Sequence, residues 1–226
     1  MTTQLPAAVL WDMDGTIVDT EPYWMAAETE LVESFGGTWS HEQALGMVGQ
    51  GLDYTAGCLR AEGVDLSDDE IQQILTGRVI EQVREHVPWR PGARELLTEL
   101  RAKNVRTALV TMSLRSLAEL VVAAIETGGL AAPFDVIVSG DDVENPKPHP
   151  EPYLAAAAQL GVAPEDCLAI EDSHPGLASA VASGAVSIGV PHVVPIAEGP
   201  GHTIWSSLDG RTVADLAAAF ESERSQ

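Results

Sequence analysis

The chain has 226 residues, of which 45% are hydrophobic, enough for one well-buried core with a small appended domain. Asp and Glu number 34 against 12 Lys and Arg, so the formal net charge is -22. The electrostatic field of this negative charge repels the phosphates of nucleic acids and anionic membrane surfaces, and we expect neither as a partner.

Cysteine usage and the N-terminal sequence both predict a cytoplasmic protein. Cys58 and Cys167 lie far apart and outside any CxxC pattern, which indicates reduced thiols rather than a disulfide or a zinc site. The opening sequence MTTQLPAAVLWDMDG has no basic region followed by a long apolar run, and no later stretch of 18 residues is apolar throughout. We expect a monomer or a weak dimer.

The first 92 residues predict one strand followed by a block of helices. The apolar run 7–11 (AAVLW) is typical of a buried strand. A helical pattern then covers about 21–87, and capping-box sequences at Ser40 and Ser67 predict two helix starts within it. The stiff sequence PWRPG at 88–92 is typical of a domain boundary.

After this boundary, helices alternate with strands. Helices are predicted at 93–103, 114–126, 150–160, 175–183 and 212–222. Strands are predicted at 105–111, 134–140, 167–172, 186–191 and 202–208. This alternation predicts an α/β fold with a doubly wound parallel sheet. The helical block then forms an inserted cap domain over 20–88, and the core domain comprises 1–19 and 89–226.

Ligands of doubly wound sheets bind beyond the carboxyl ends of the strands, so the residues at these ends are of special interest. Asp12 and Asp14 follow the first strand and, two residues apart, point the same way. Taken alone, the pair followed by Gly15 fits a solvated turn equally well.

Polar residues also follow three later strands. The second strand ends in the hydroxyl motif Thr111-Met112-Ser113, a loop after the third strand leads to Lys147 between two prolines, and the fourth strand ends in the acidic motif Glu171-Asp172-Ser173. Each alone is more typical of a helix cap, a surface charge or a solvated turn. Their occurrence in order at successive strand ends instead favours one functional site.

This set of side chains suits phosphoryl transfer. Asp12, Asp14, Glu171 and Asp172 offer the oxygen ligands that Mg²⁺ prefers, and Lys147 adds a second cation. A carboxylate and a phosphate dianion at ~4 Å repel by several kcal/mol at an effective dielectric near 20, and these cations cancel that repulsion. Asp12 can then become an aspartyl-phosphate, while Asp14 exchanges protons with the leaving group and water.

The four motifs, DMDGT at 12–16, Thr111, Lys147 and EDS at 171–173, resemble those of the haloacid dehalogenase superfamily. The helical insertion and the sequences DTEPYW and PKPHPEPY resemble its β-phosphoglucomutase-like subgroup of sugar-phosphate phosphatases with a helical cap. The resemblance implies a nucleophilic Asp12 and an acid/base Asp14. It implies Mg²⁺ ligation by the Asp12 carboxylate, the Asp14 backbone carbonyl and Asp172 with support from Glu171, and phosphoryl binding by Thr111, the Met112 amide and Lys147.

The cap of such an enzyme encloses the leaving group and reads its chemistry. Polar and aromatic residues near the expected junction of cap and core are candidate substrate contacts: Tyr23, Trp24, Gln50, Tyr54, Ser113 and Arg115. Each aromatic residue alone is more typical of packing between cap and core.

Within the superfamily, the sequence favours a phosphatase that acts on a small phosphorylated metabolite such as a sugar or polyol phosphate. Dehalogenases lack the second aspartate, and the cap lysine of phosphonatases has no counterpart because no lysine precedes Lys103. A β-phosphoglucomutase-like phosphomutase stays open: Gly51-Leu52-Asp53 offers no base where the mutase has an arginine, but Arg60, Arg78 or Arg115 can compensate.

A phospho-receiver or an idle scaffold is the remaining alternative. The large insertion after the first strand and the Asp-x-Asp spacing on that strand weigh against a receiver. The retention of Asp12, Lys147 and Asp172 weighs against a scaffold.

Overall fold

A computed structural model describes residues 4–224. It contains a six-stranded sheet, formed by β1 (Ala8–Trp11), β2 (Arg106–Val110), β3 (Val136–Val138), β4 (Cys167–Glu171), β5 (Val186–Gly189) and β6 (His202–Ile204). All neighbouring strands pair in parallel, in the order β3-β2-β1-β4-β5-β6. The predicted doubly wound parallel sheet is confirmed. The outermost residues of the predicted core domain, 1–3 and 225–226, lie outside the described residues.

The α-helices of the described chain are α1 (Glu21–Ser34), α2 (His41–Leu45), α3 (Leu52–Ala61), α4 (Asp68–Glu85), α5 (Ala93–Ala102), α6 (Arg115–Thr127), α7 (Glu151–Leu160), α8 (His174–Ser183) and α9 (Val213–Arg224). Capping boxes begin α2 at Ser40 and α4 at Ser67, as predicted. None of these helices has the length and apolar character needed to cross a bilayer. The predicted final strand is shorter than 202–208, because only three residues pair with β5.

Alternating side chains of β1 divide the core into two layers. Val9 and Trp11 join the larger cluster, which includes apolar residues of α5, α6 and α9, whereas Ala8 and Leu10 join a smaller cluster with α7 and α8. Helices therefore cover both faces of the sheet, and every residue of β1 is fully buried. Because both faces of β1 are buried, its residues form a continuous apolar run, and the run AAVLW could therefore be recognised as a strand from the sequence.

The central strand β1 positions the site. It pairs with β2 on one side and with β4 on the other, so the chain crosses over in opposite directions from this point. Trp11 is level with Leu109 and Ile170, which places the residues after these three strands along one edge of the sheet. This is the switch point at which doubly wound sheets bind ligands.

Helices α1–α4 lie between β1 and α5 in the chain, and the two segments that join this block to the sheet run side by side. The Asp19 amide donates to the Pro88 carbonyl (2.7 Å), and the Arg90 amide donates to the Ile17 carbonyl (2.8 Å). The helical block is therefore joined to the sheet through two adjacent backbone segments. The division into a cap and a core domain at these residues stays a prediction.

Candidate active site

A cavity lies between the carboxyl edge of the sheet and the inserted helices. We call its sheet side the core wall, which is lined by Asp12, Asp14, Thr111, Met112, Ser113, Lys147, Asp172 and Ser173. We call its other side the cap wall, which is lined by Glu21, Trp24, Met25, Glu28, Ala44, Met47, Gly49, Gln50, Leu52 and Thr55. The structure thus brings the strand-end motifs of the sequence to one place.

Lys147 is the cation of the core wall, and its ammonium group is fully engaged. Its Nζ donates to Asp12 Oδ1 (2.7 Å), to Glu171 Oε1 (2.7 Å) and to the Val110 carbonyl (2.9 Å). Burial alone would lower the pKa of Lys147, but the carboxylates of Asp12 and Glu171 raise it above its usual value. Lys147 is therefore held as a cation beside the predicted nucleophile.

Three buried carboxyl groups meet at this edge. Asp12, Glu171 and Asp172 offer oxygen atoms within 4.8 Å of one another. Asp12 Oδ2 and Asp172 Oδ2 are buried without a hydrogen-bond partner among the described residues, which is costly for an acid oxygen unless a ligand completes it. Oxygen atoms of this kind are the ligands that a hard divalent cation prefers, so these residues fit a metal ion.

Close packing at Gly15 keeps Asp172 at this position. Gly15 has a φ of +82°, which favours glycine, and a Cβ added there would lie 2.0 Å from Asp172 Oδ2. The close approach of the Asp172 carboxylate to the turn after β1 therefore requires glycine at this position of the Asp-x-Asp-Gly sequence.

Burial also governs the protonation of the core wall. It raises the pKa of the Asp12 carboxyl to about 8, despite the opposing effect of Lys147. It raises the pKa of Asp172 well above its usual range, and the nearby acids Asp12 and Glu171 add to this shift. A bound cation would have the opposite effect, because it favours the ionised form of its ligands.

Glu171 differs from Asp12 and Asp172 because both of its carboxyl oxygens accept hydrogen bonds within the protein, whereas each of the other two has one oxygen without a partner among the described residues. Oε1 accepts hydrogen bonds from Lys147 and from the Tyr153 hydroxyl (2.6 Å), and Oε2 accepts one from the Ser173 hydroxyl (3.3 Å). A Cβ added at Gly176 would lie 2.1 Å from its carboxyl group, so the first turn of α8 encloses it. Glu171 is therefore suited to orient Lys147.

Asp14 is held from both walls. Its Oδ2 accepts hydrogen bonds from Thr111 Oγ1 (3.2 Å) and Ser113 Oγ (2.7 Å) on the core wall. Its Oδ1 accepts from the Thr20 hydroxyl and from Trp24 Nε1 (3.3 Å), which lie at the start of α1. These four donors fix the orientation of the carboxylate that the sequence predicts as the acid/base group.

Among the predicted substrate contacts, Trp24, Gln50 and Ser113 line the cavity, and three others do not. Tyr54 is 56% exposed, and Tyr23 packs at the edge of the apolar core. Arg115 is tied to Asp142 by an ion pair. The sequence did not reveal this ion pair because its partners are joined only through the fold.

The three arginines considered for a second phosphate are all engaged elsewhere. Arg60 pairs with Asp68 (3.0 Å), and Arg78 donates to the Ala27 carbonyl (2.9 Å). Arg115 also donates to the Ile137 carbonyl (3.0 Å). Of the described residues, no arginine lines the cavity.

Sequence reasoning missed two glutamates on the cap wall. Glu21 and Glu28 are 7% and 3% exposed, and burial raises their pKa values to about 8 and about 7. Glu28 Oε2 accepts a hydrogen bond from Trp39 Nε1 (3.1 Å). The available signal was their seven-residue spacing around Trp24, which places all three on one face of a helix.

Comparison with known proteins agrees with this geometry. The chain is 30% identical over 214 residues to "Hexitol phosphatase B" of Escherichia coli O157:H7, covering 93% of this chain and 94% of that protein. A crystal structure of a CbbY variant from Rhodobacter sphaeroides with xylulose 1,5-bisphosphate has a TM-score of 0.85 and 26% identity, covering 94% of this chain and 99% of the other.

The fold is also that of a β-phosphoglucomutase from Clostridium difficile, with a TM-score of 0.83 at 20% identity, covering 98% of this chain and 100% of that structure. A family model described as haloacid dehalogenase-like hydrolase matches residues 9–190. This match runs from the second residue of β1 past the end of β5 and includes each strand-end motif, and it shows that the protein belongs to the haloacid dehalogenase-like hydrolase family.

Proposed function

We propose that the protein is a Mg²⁺-dependent phosphatase that hydrolyses a small phosphorylated metabolite, a sugar or polyol phosphate, through an aspartyl-phosphate on Asp12. The observation that carries this proposal is the state of Asp12: one oxygen accepts a hydrogen bond from Lys147, and the other is buried and has no hydrogen-bond partner within residues 4–224. The similarity to a hexitol phosphatase supports the substrate class. We also propose a cytoplasmic location, which the free thiols of Cys58 and Cys167 support.

The proposed metal ligands are the Asp12 carboxylate, the Asp14 backbone carbonyl and Asp172, with Glu171 in support. The unpartnered oxygens of Asp12 and Asp172 support this assignment. A bound Mg²⁺ would supply positive charge against the phosphoryl oxygens. Lys147 supplies a fixed positive charge from the protein itself.

In the proposed reaction an Asp12 oxygen forms a bond to phosphorus while the bond to the leaving-group oxygen breaks. Asp14 gives its proton to that oxygen and so releases the alcohol. Asp14 then takes a proton from water, whose oxygen attacks phosphorus and releases inorganic phosphate and the free Asp12 carboxylate. Thr111, Met112 and Lys147 hold the phosphoryl group during both steps, and Thr111 lies within hydrogen-bond distance of Asp14 in support of this role.

The test is phosphate release from p-nitrophenyl phosphate and a panel of sugar and polyol phosphates, with Mg²⁺ or with a chelator. We expect metal-dependent release that Asp12→Asn abolishes and that Asp65→Asn, which changes an exposed loop aspartate, retains. Release that survives in Asp12→Asn would contradict the aspartyl-phosphate route. Isomerisation of β-glucose 1-phosphate without net phosphate release would instead support the phosphomutase.

A further inference from the structure

We propose that Glu28 is a specificity-determining residue: its free carboxyl oxygen binds a hydroxyl group of the leaving group and so selects a hydroxyl-rich substrate with a single phosphate. This inference rests on the proposed phosphatase function and deepens it. It concerns the cap wall, whereas the chemistry proposed above uses the core wall.

The first support is the hydrogen bonding of Glu28. Its side chain is 3% exposed and lines the cavity. Trp39 Nε1 holds Oε2 at 3.1 Å, and Oε1 has no hydrogen-bond partner within residues 4–224. Glu28 lines the cavity, so this oxygen is available to a ligand, and a ligand hydroxyl would give it a hydrogen-bond partner. The Trp39 bond fixes the carboxyl group, so the remaining oxygen is positioned in advance of binding.

The second support is the position of Glu28 along α1. Glu21 lies close enough to Asp12 and Asp14 for their charges to raise its pKa, whereas no core-wall acid contributes to the shift of Glu28. Seven residues of helix separate Glu28 from Glu21, which is about 10 Å at 1.5 Å per residue. Glu28 therefore lies farther from the phosphoryl site, where a leaving group several atoms long would extend.

The third support is the charge of the whole cavity. Five carboxyl side chains line it, those of Asp12, Asp14, Glu21, Glu28 and Asp172, and Lys147 is the one cationic side chain among the described lining residues. The Lys147 ammonium is already used by carboxylates on the core wall. A second phosphate near the cap wall would meet two buried acids without a cation, so a bisphosphate is disfavoured.

The apolar part of the cap wall completes the match to a polyol. Trp24, Met25, Met47 and Leu52 also line the cavity. Sugars and polyols present carbon-bound hydrogens on one side and hydroxyl groups on another, and such a mixed wall contacts both. Either protonation state of Glu28 can hydrogen-bond a hydroxyl group, so this role does not depend on its charge.

The experiment compares kcat/KM of the Mg²⁺-loaded enzyme for a hexitol 6-phosphate and for p-nitrophenyl phosphate, whose leaving group has no free hydroxyl. In Glu28→Leu we expect the ratio of the two values to fall about 10- to 100-fold, chiefly through KM, because the substrate hydroxyl would enter the cavity and find no hydrogen-bond partner there. Glu28→Gln keeps the size and a hydrogen-bonding group, and we expect it to restore most of this ratio.

Glu33→Gln, which changes an exposed glutamate on the same helix, is the matched control and should leave the ratio unchanged. Hexose 1,6-bisphosphate and glucosamine 6-phosphate complete the panel, and we expect the hexitol 6-phosphate to exceed the bisphosphate at least about tenfold. A preference for the amino sugar would show that the acids recognise an ammonium group and would overturn the inference.

An unchanged ratio in Glu28→Leu, or an equal loss on both substrates, would also overturn it, because the residue would then be dispensable or only structural. The wild type can release phosphate from p-nitrophenyl phosphate even if substitution of Glu28 does not change the ratio of the two kcat/KM values. In that case the inference about Glu28 is wrong and the proposed phosphatase function is retained. Failure of the wild type on every ester would remove the phosphatase function itself, and the inference with it.

Discussion

The two walls of the cavity differ in whether a cation of the protein lies beside their acids. On the core wall, Lys147 links Asp12 and Glu171 by hydrogen bonds of 2.7 Å, so carboxylates and cation compensate one another. On the cap wall, Glu21 has no hydrogen-bond partner among the described residues and Glu28 has one. The core wall thus combines a fixed cation with two open oxygens, Asp12 Oδ2 and Asp172 Oδ2, that suit the proposed metal ion and reaction. The cap wall offers acids without a cation, which suit contacts with the substrate.

Loss of the core-wall cation should have the largest effect. Lys147→Met leaves Asp12 and Glu171 buried without their shared partner, which we expect to cost about 3–5 kcal/mol in the free energy of unfolding. Removal of a charge that stabilises the transition state should lower kcat about 1000-fold. Urea unfolding and phosphate release measure the two effects.

The matched control uses the other lysine of the chain. Lys103 forms a surface ion pair with Glu99 on α5, so Lys103→Met should change the free energy of unfolding by less than about 1 kcal/mol and leave kcat unaltered. If Lys147→Met were as active and as stable as this control, the compensation described for the core wall would be wrong.

On the cap wall, an uncompensated acid should make stability depend on pH. Burial raises the pKa of Glu28 from 4.5 to about 7, although the Trp39 hydrogen bond opposes this, so the fold favours the protonated acid. Its contribution to the free energy of unfolding is therefore complete below about pH 4.5 and is lost as pH rises through 7. The difference between the two pKa values is worth about 3 kcal/mol.

Glu28→Gln removes this titration, so we expect the variant to gain stability relative to the wild type as pH rises from 4.5 to 8. Urea unfolding at several pH values measures the difference. Glu33→Gln neutralises an exposed glutamate of the same helix and shows how much of the trend follows from any loss of charge on α1. A wild-type-to-variant difference that stays constant over this range would show that Glu28 is not buried as an acid.

The core wall was predictable from the sequence for a specific physical reason. Parallel strands bring their carboxyl ends to one edge, so locating the strands was enough to place Asp12, Thr111 and Asp172 together. Lys147 follows a loop after the third predicted strand, and it was grouped with the other residues because of the order of the motifs along the chain.

The residues of the cap wall were harder to predict, because the sequence does not show which face of each cap helix turns toward the cavity. Trp24 and Gln50 line the cavity as expected, yet Tyr54 on α3 faces solvent. In the sequence, Glu28 is one of 34 acidic residues, and nothing in its type sets it apart. In the structure, its hydrogen bond with Trp39 distinguishes it. Whether an acidic residue is buried depends on tertiary packing, which amino-acid composition does not show.

The smallest expected effects concern Asp14, which both walls hold. Ser113→Ala removes a donor at 2.7 Å from the core wall, and Trp24→Phe removes one at 3.3 Å from the cap side. Three hydrogen-bond donors to Asp14 remain in each variant, so its carboxylate stays in place and its orientation is only less firmly fixed. We expect kcat to fall about 3- to 10-fold in Ser113→Ala and less in Trp24→Phe, because the longer hydrogen bond is weaker.

Single-turnover phosphate release, with Ser116→Ala on the exposed side of α6 as the control, measures these changes in Asp14 function. A larger loss in Trp24→Phe than in Ser113→Ala would reverse the expected order. It would mean that the start of α1, rather than the sheet edge, sets the orientation of the acid/base group. Closure of the cap would then control the chemistry as well as substrate choice. The assignment of the chemistry to the core wall alone would be wrong for Asp14.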